Sequence, residues 1–133
     1  MPRQTSANIH KQGRTLRYFS LGLRLLAAAA FLSAGGAKLA GVPMMVAIFE
    51  HIGLGQWFRI VTGLVEVISA IALLIPSFAG LGGLVLAITM CFAILTHLFV
   101  IGGDPLPAIV LLLITAGIAW LNRAGILSLL RIR

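Results

Sequence analysis

The sequence predicts an all-α integral membrane protein, a four-helix bundle with a short interfacial helix between its first and second spans. Three observations lead there. Of the 133 residues 60% are apolar and only 10% charged, against about 25% charged in an ordinary soluble domain. The apolar residues gather into four stretches divided by Gly, Pro and Asp, each read as a span. The net charge of +7 is concentrated at the ends, with seven of the ten Lys and Arg in the two tails. They are not interleaved with aromatics as a nucleic-acid surface would be, so the lipid bilayer is the implied partner and nucleic acid is not. With Cys91 as the single cysteine, an intramolecular disulfide is excluded.

Residues 1–17 (MPRQTSANIHKQGRTLR) are polar, basic and aperiodic, and carry Arg3, Lys11, Arg14 and Arg17. They read as a short disordered cytoplasmic arm. The membrane domain covers residues 18–121. Its first span, 18–40, has the basic start and small residues of a cleaved signal peptide, but Arg24 interrupts the apolar region and the run is long enough to cross. Residues 43–55 are too short to span. Met45, Ile48, Phe49 and Ile52 recur there at helical spacing, with Glu50 and His51 on the other side, as in an amphipathic helix lying at the interface.

The second span, 57–75, stops at Pro76 and a turn without charge. The third, 79–101, stops at Gly102-Gly103-Asp104-Pro105, and the fourth, 106–121, closes with Trp120, Asn122 and Arg123, an interfacial aromatic beside a cation. Residues 122–133 read as a basic amphipathic tail, Ile126, Leu129 and Leu130 opposite Arg131, resting on the cytoplasmic surface. An even number of spans puts both termini on one side. The positive-inside rule makes that side the cytoplasm.

Ionisable groups within spans are costly and mark interior or water-facing positions. Arg24, Phe31 and Lys38 recur at intervals of seven on the first span, on a face that also carries Ala27, Ala28, Ala34 and Gly35. Arg59, Thr62, Glu66 and Ser69 form one stripe on the second. On the third, His97 lines up with Met90 and Ala93, and with Leu86 and Gly82 or Gly83, while Thr96 flanks them. A rise of about 1.5 Å per residue places Lys38 about 3 Å, His97 about 6 Å, Thr62 about 8 Å and Glu66 about 14 Å below the outer ends. Lys38, Thr62, Glu66 and His97 are therefore the candidate ligand-binding residues, lining one outward-facing polar funnel with Glu66 at its floor.

Arg24 and Arg59 are assigned structural or network roles. Arg24 lies about 10 Å below Glu66, a gap that two extended side chains and a water would nearly close. The plainer readings are that Arg24 and Lys38 snorkel to the interfaces, that His97 makes a structural hydrogen bond and that Cys91 packs as a small apolar residue. Glu66 cannot snorkel from mid-span and has to be protonated or paired. Neither GxxxxGK[ST] nor GxGxxG occurs, and with only His97 inside a span bis-histidine haem ligation is disfavoured. The three acidic residues are too few for a divalent-metal cage. No metal and no intrinsic cofactor is expected.

The runs FLSAGGAKLAG (31–41), FEHIGLGQWFR (49–59), TGLVEVISAIALLIP (62–76) and THLFVIGGD (96–104) resemble the DoxX-like family of small bacterial membrane proteins, over residues 24–120. The small-residue-Lys, Gly-Leu, Gly-x-x-Glu and Thr-His elements occur in that family's order, with Lys38, Glu66 and His97 the positions carried over as characteristic. The resemblance implies a four-helix fold in the bacterial cytoplasmic (inner) membrane. It also implies a redox setting, since the family's namesake is a small subunit of an oxidase system that passes electrons from thiosulfate to quinone. The expected function is an accessory, redox-associated membrane subunit, rather than a stand-alone enzyme, that binds a small molecule or quinone headgroup in the funnel. Two alternatives stand beside it, a small proton-coupled transporter worked by Glu66 and a scaffold that anchors a partner. A partner oxidoreductase is expected, and the small-residue faces permit a homodimer.

Overall fold

The computed structural model describes residues 2–131, with side chains from residue 4 onward. Six α-helices follow one another: α1 (Pro2–Ala40), α2 (Pro43–Ile52), α3 (Gln56–Leu74), α4 (Ala79–Thr96), α5 (Leu106–Leu121) and α6 (Arg123–Leu130). α4 continues through a π-helical turn, His97–Ile101. No strand occurs among the described residues.

The expected disordered arm is helical. α1 is one continuous helix of 39 residues, and the side chains of residues 4–19 are all exposed. These side chains bury no face against the bundle, so the helix there extends by propagation. The adjoining span supplies a formed nucleus, each added residue gains a hydrogen bond, and only Gly13 interrupts a run of ordinary helix formers. Arg3 and Arg133, counted among the basic tails, lie outside the residues whose side chains are described.

Three helices are long and apolar enough to cross a membrane: α1, α3, and α4 with its π turn. The fourth expected span, 106–121, coincides with α5. α5 has 16 residues, about 24 Å against a hydrocarbon core of about 30 Å. It passes as a span only together with α6, which leaves it at a bend of 59°. The bend sits at Asn122, whose backbone is non-helical (φ −110°, ψ 19°). Its side-chain amide donates to the Ile118 carbonyl (2.8 Å) and to Ser20 Oγ on α1 (3.1 Å). On α6, Ile126 and Leu129 are half-buried while Leu130 is exposed beside Arg131, so Leu130 does not share the inward face.

α1 packs on α3, α3 on α4, α4 on α5 and α5 back on α1, while α2 bridges α3 and the π turn. The exterior is as apolar as the interior, and the interior also takes in polar and charged groups. The interior holds Ala27, Ala28, Phe31, Ala70, Leu73, Leu86 and Met90, and with them Ser20, Arg24, Glu66, Ser69 and Thr115. Leu26, Ile68, Phe92, Phe99 and Leu113 are more than half exposed. Each large side chain turned outward would forfeit about 1.5–3 kcal/mol in water, a penalty that lipid removes.

The helices approach closely through glycines. A Cβ on Gly35 would stand 3.0 Å from the Gly63 carbonyl oxygen, and one on Gly63 would stand 3.1 Å from that of Gly35. α1 and α3 therefore cross backbone to backbone. On α4 the neighbours Gly82 and Gly83 do the same on two sides, against the Ser69 carbonyl of α3 and the Thr115 carbonyl of α5. Gly35→Leu should lower the unfolding midpoint of the detergent-solubilised protein by an equivalent of about 1–3 kcal/mol, because the added atoms have no room. Gly36→Ala is the control, since nothing lies within 4 Å of its Cβ position, and it should be neutral or mildly stabilising. Equal midpoints for the two variants would show that α1 and α3 do not meet at Gly35.

Candidate functional site

Lys38 and Glu66 are each three residues beyond the crossing glycines, on antiparallel helices. Their backbones consequently lie on opposite sides of the crossing, about 9 Å apart along the axis. Side chains on a helix lean toward its N-terminus. Lys38 thus leans back toward the crossing from one side and Glu66 from the other, and they meet. Lys38 Nζ lies 2.9 Å from Glu66 Oε2 and 3.2 Å from Oε1. The side chains are only 14% and 4% exposed, so the pair is buried and both carboxylate oxygens are engaged. The sequence left Glu66 either protonated or paired, and in the fold it is paired with Lys38. Depths counted along the helices had separated the two because they ignored side-chain length and lean.

The two arginines act on helix ends. α1 closes with Gly41 in the left-handed region (φ 68°), where Gly41 N–H bonds the Lys38 carbonyl (3.3 Å) and Val42 N–H the Ala37 carbonyl (3.1 Å), a Schellman motif. Arg59, near the start of α3, adds an Nη1 hydrogen bond to the same Lys38 carbonyl, and its Nε donates to Gln56 Oε1 at 2.6 Å. Arg24, near the inner end of the span in α1, donates from Nε to the Leu73 carbonyl in the last turn of α3. Each helix of the antiparallel pair thus sends a cation to the carbonyl end of the other, where unpaired C=O groups and the helix dipole favour positive charge. The water-bridged contact expected between Arg24 and Glu66 is replaced by this bond, and neither Arg24 nor Lys38 snorkels.

Thr62 is half-buried one turn from Glu66, and its hydroxyl donates to the Phe58 carbonyl of its own helix at 2.7 Å. His97 begins the π turn, whose carbonyl-to-amide closure runs from His97 to Gly102 (2.9 Å, Gly102 φ 71°). Its Nδ1 is buried and has no hydrogen-bond partner among the described residues. Gly103 lies against it, close enough that a Cβ there would come within 3.2 Å of Nδ1. π turns often accompany functional residues. Of the four candidate ligand-binding residues, Lys38 and Glu66 are joined directly, while no hydrogen bond links Thr62 or His97 to them.

Two contacts escaped the sequence reading. His51 Nε2 on α2 lies 3.2 Å from the Val100 carbonyl in the π turn, tying the short helix to α4. Ser20 meets Asn122 at the other end of the bundle. Both join positions far apart in the chain that share no helical periodicity.

A model of the DoxX-like family matches residues 22–127. The chain belongs to the DoxX-like family. Comparison with curated proteins and with solved structures gave no match. Family membership together with the apolar helices makes this a multi-pass membrane protein. The matched region holds all of the candidate site residues, from Arg24 to His97, and it extends past α5 into α6.

Removing one member of the Lys38–Glu66 pair leaves a buried charge without a partner, which costs about 3–5 kcal/mol, whereas an apolar pair of similar size costs little or stabilises. Lys38→Met and Glu66→Leu should each sharply lower the unfolding midpoint in detergent. The double variant should recover most of the loss. Strictly additive losses in this double-mutant cycle would mean that the two side chains are not coupled.

Proposed function

We propose that this DoxX-like protein is an accessory subunit of a redox assembly in the bacterial cytoplasmic membrane, crossing it four times with both termini in the cytoplasm. Its work is to anchor and support a partner oxidoreductase, and it performs no chemistry of its own. The observation that carries this reading is that the costly membrane groups are consumed by the fold. Lys38 holds Glu66, Arg24 holds the end of α3, and Arg59 holds the end of α1. Four-fold crossing takes α5 as a span with α6 at its inner boundary, an arrangement favoured by the interfacial Trp120 (67% exposed) beneath the Arg123 guanidinium at 4.5 Å.

A second reading keeps a small-molecule site in the outward funnel. The unpartnered Nδ1 of His97 favours it, since a buried polar atom without a partner is a place where a ligand gains a hydrogen bond. A quinone headgroup, with carbonyl oxygens that accept from Lys38 Nζ, is the ligand class that fits. It would have to compete with Glu66 for that ammonium.

Tagged protein solubilised gently from its native membrane should co-elute with a quinone-reducing activity that the isolated subunit lacks. Glu66→Gln should reduce the amount of assembled complex while leaving turnover per complex unchanged. Normal assembly with lost turnover would overturn the accessory reading and favour the funnel site, as would a short-chain quinone that stabilises the wild type but not His97→Phe. Reporter fusions at residue 133 should be active in the cytoplasm. Activity only on the far side would remove one crossing.

A further inference from the structure

Three features are left unused by the proposed function: the His97 π turn, the exposed basic extension of α1, and a shallow cleft along α1 where that extension meets the span. The cleft carries an inference furthest. It is a shallow, half-open space of about 370 Å³ along α1 alone, bordered by Arg14, Arg17, Tyr18, Leu21 and Arg24. At 100° per residue these five fall within about one third of the helix circumference. Three guanidiniums, a phenol and one aliphatic side chain therefore share one face.

The depth of this face matches a lipid headgroup. Counting about 20 residues of hydrocarbon core back from Ala40 reaches Leu21. Arg17 and Tyr18 then lie in the headgroup layer, Arg14 just beyond it, and Arg24 about one turn inside. Tyr18 is an interfacial residue type, and it is exposed, 68%. Arg24 is buried and fixed through Nε to the Leu73 carbonyl, and it still lines the cleft. This gives the cleft one fixed guanidinium beside two exposed ones.

The charge is also uncompensated. The chain has three acidic residues. Glu66 is taken by Lys38, Glu50 is on α2, and Asp104 caps the start of α5 through the Leu106 N–H. All three are removed from this end of α1, and among the described residues no carboxylate reaches Arg14, Arg17 or Arg24. A phosphate diester supplies the missing anion. Guanidiniums bind phosphate oxygens through paired N–H donors, and Leu21 offers the start of an acyl chain an apolar surface.

We infer that Arg14, Arg17, Tyr18 and Arg24 form a binding site for the phosphodiester headgroup of an anionic phospholipid in the leaflet at the basic end of the bundle. The site goes beyond the accessory-subunit reading and does not depend on it. It requires only that this part of α1 lie at headgroup depth.

The test uses the full chain in detergent and in nanodiscs. Phosphatidylglycerol added to the wild type should raise the thermal unfolding midpoint, and native mass spectrometry should retain phosphatidylglycerol in preference to phosphatidylcholine. The Arg14→Gln, Arg17→Gln double variant should lose affinity for phosphatidylglycerol by about tenfold or more, since each basic residue near an anionic surface contributes about 1 kcal/mol. Both positions are exposed, so the variant should fold. The charge-matched control is Arg123→Gln, Arg131→Gln, which should keep the preference. Equal losses in the two double variants would mean diffuse attraction without a site, and overturn the inference. So would a stabilisation by inorganic phosphate equal to that by the lipid, which would mean that a free anion and not a lipid is bound.

Discussion

Two glycine backbones in contact, Gly35 on α1 and Gly63 on α3, set the geometry on which the polar interior depends. Without hydrophobic drive between spans in lipid, close packing and interhelical polar bonds have to hold the helices together. The glycine crossing does both jobs. It lets the backbones touch, and it brings a lysine and a glutamate three residues further on within reach of each other, so that a buried carboxylate and a buried ammonium neutralise one another. A side chain at either glycine would push the helices apart, and the ion pair would lengthen or fill with water.

The pair of arginines extends the same logic to the helix ends. In a membrane the last carbonyls of a span cannot rely on water where they lie below the interface. α1 and α3 run antiparallel, so the start of each lies beside the finish of the other. An arginine placed near each start can then serve the opposite finish, Arg24 for α3 and Arg59 for α1. Charges that would be expensive alone become part of the backbone hydrogen-bond system. Most of the ionisable groups within the spans are thereby given partners by the fold. The π turn at His97 is the exception, a place where the regular helix is interrupted and a ring nitrogen is left unsatisfied.

Composition and periodicity determined a good deal. The all-helical fold, the membrane character, the short helix at 43–52, the ends of α3 and α4 near Pro76 and Gly102, and the inward stripes around Phe31, Glu66 and Met90 all follow from local rules. Residue type every three or four positions tells which face is apolar, and Gly and Pro mark where a helix stops. The family resemblance was legible for a related reason, since its motifs are short and contiguous. The arm was misread because polar, aperiodic composition says only that a segment cannot bury a face. It does not say that an attached helix will fail to propagate through it.

What only the tertiary structure decided is which partner each polar group takes. Axial depth set Arg24 toward Glu66, whereas Arg24 takes the Leu73 carbonyl and Lys38 takes Glu66. The choice of partner depends on helix crossing points, on the lean of each side chain toward its own N-terminus, and on the antiparallel order that puts Leu73 beside Arg24. These are relations between elements distant in the chain, Ser20 and Asn122 being the farthest. Local sequence sets which residues face inward, because a helix repeats every 3.6 residues whatever surrounds it. Partner choice is a property of how two such helices are placed, and that is fixed only when the backbones meet.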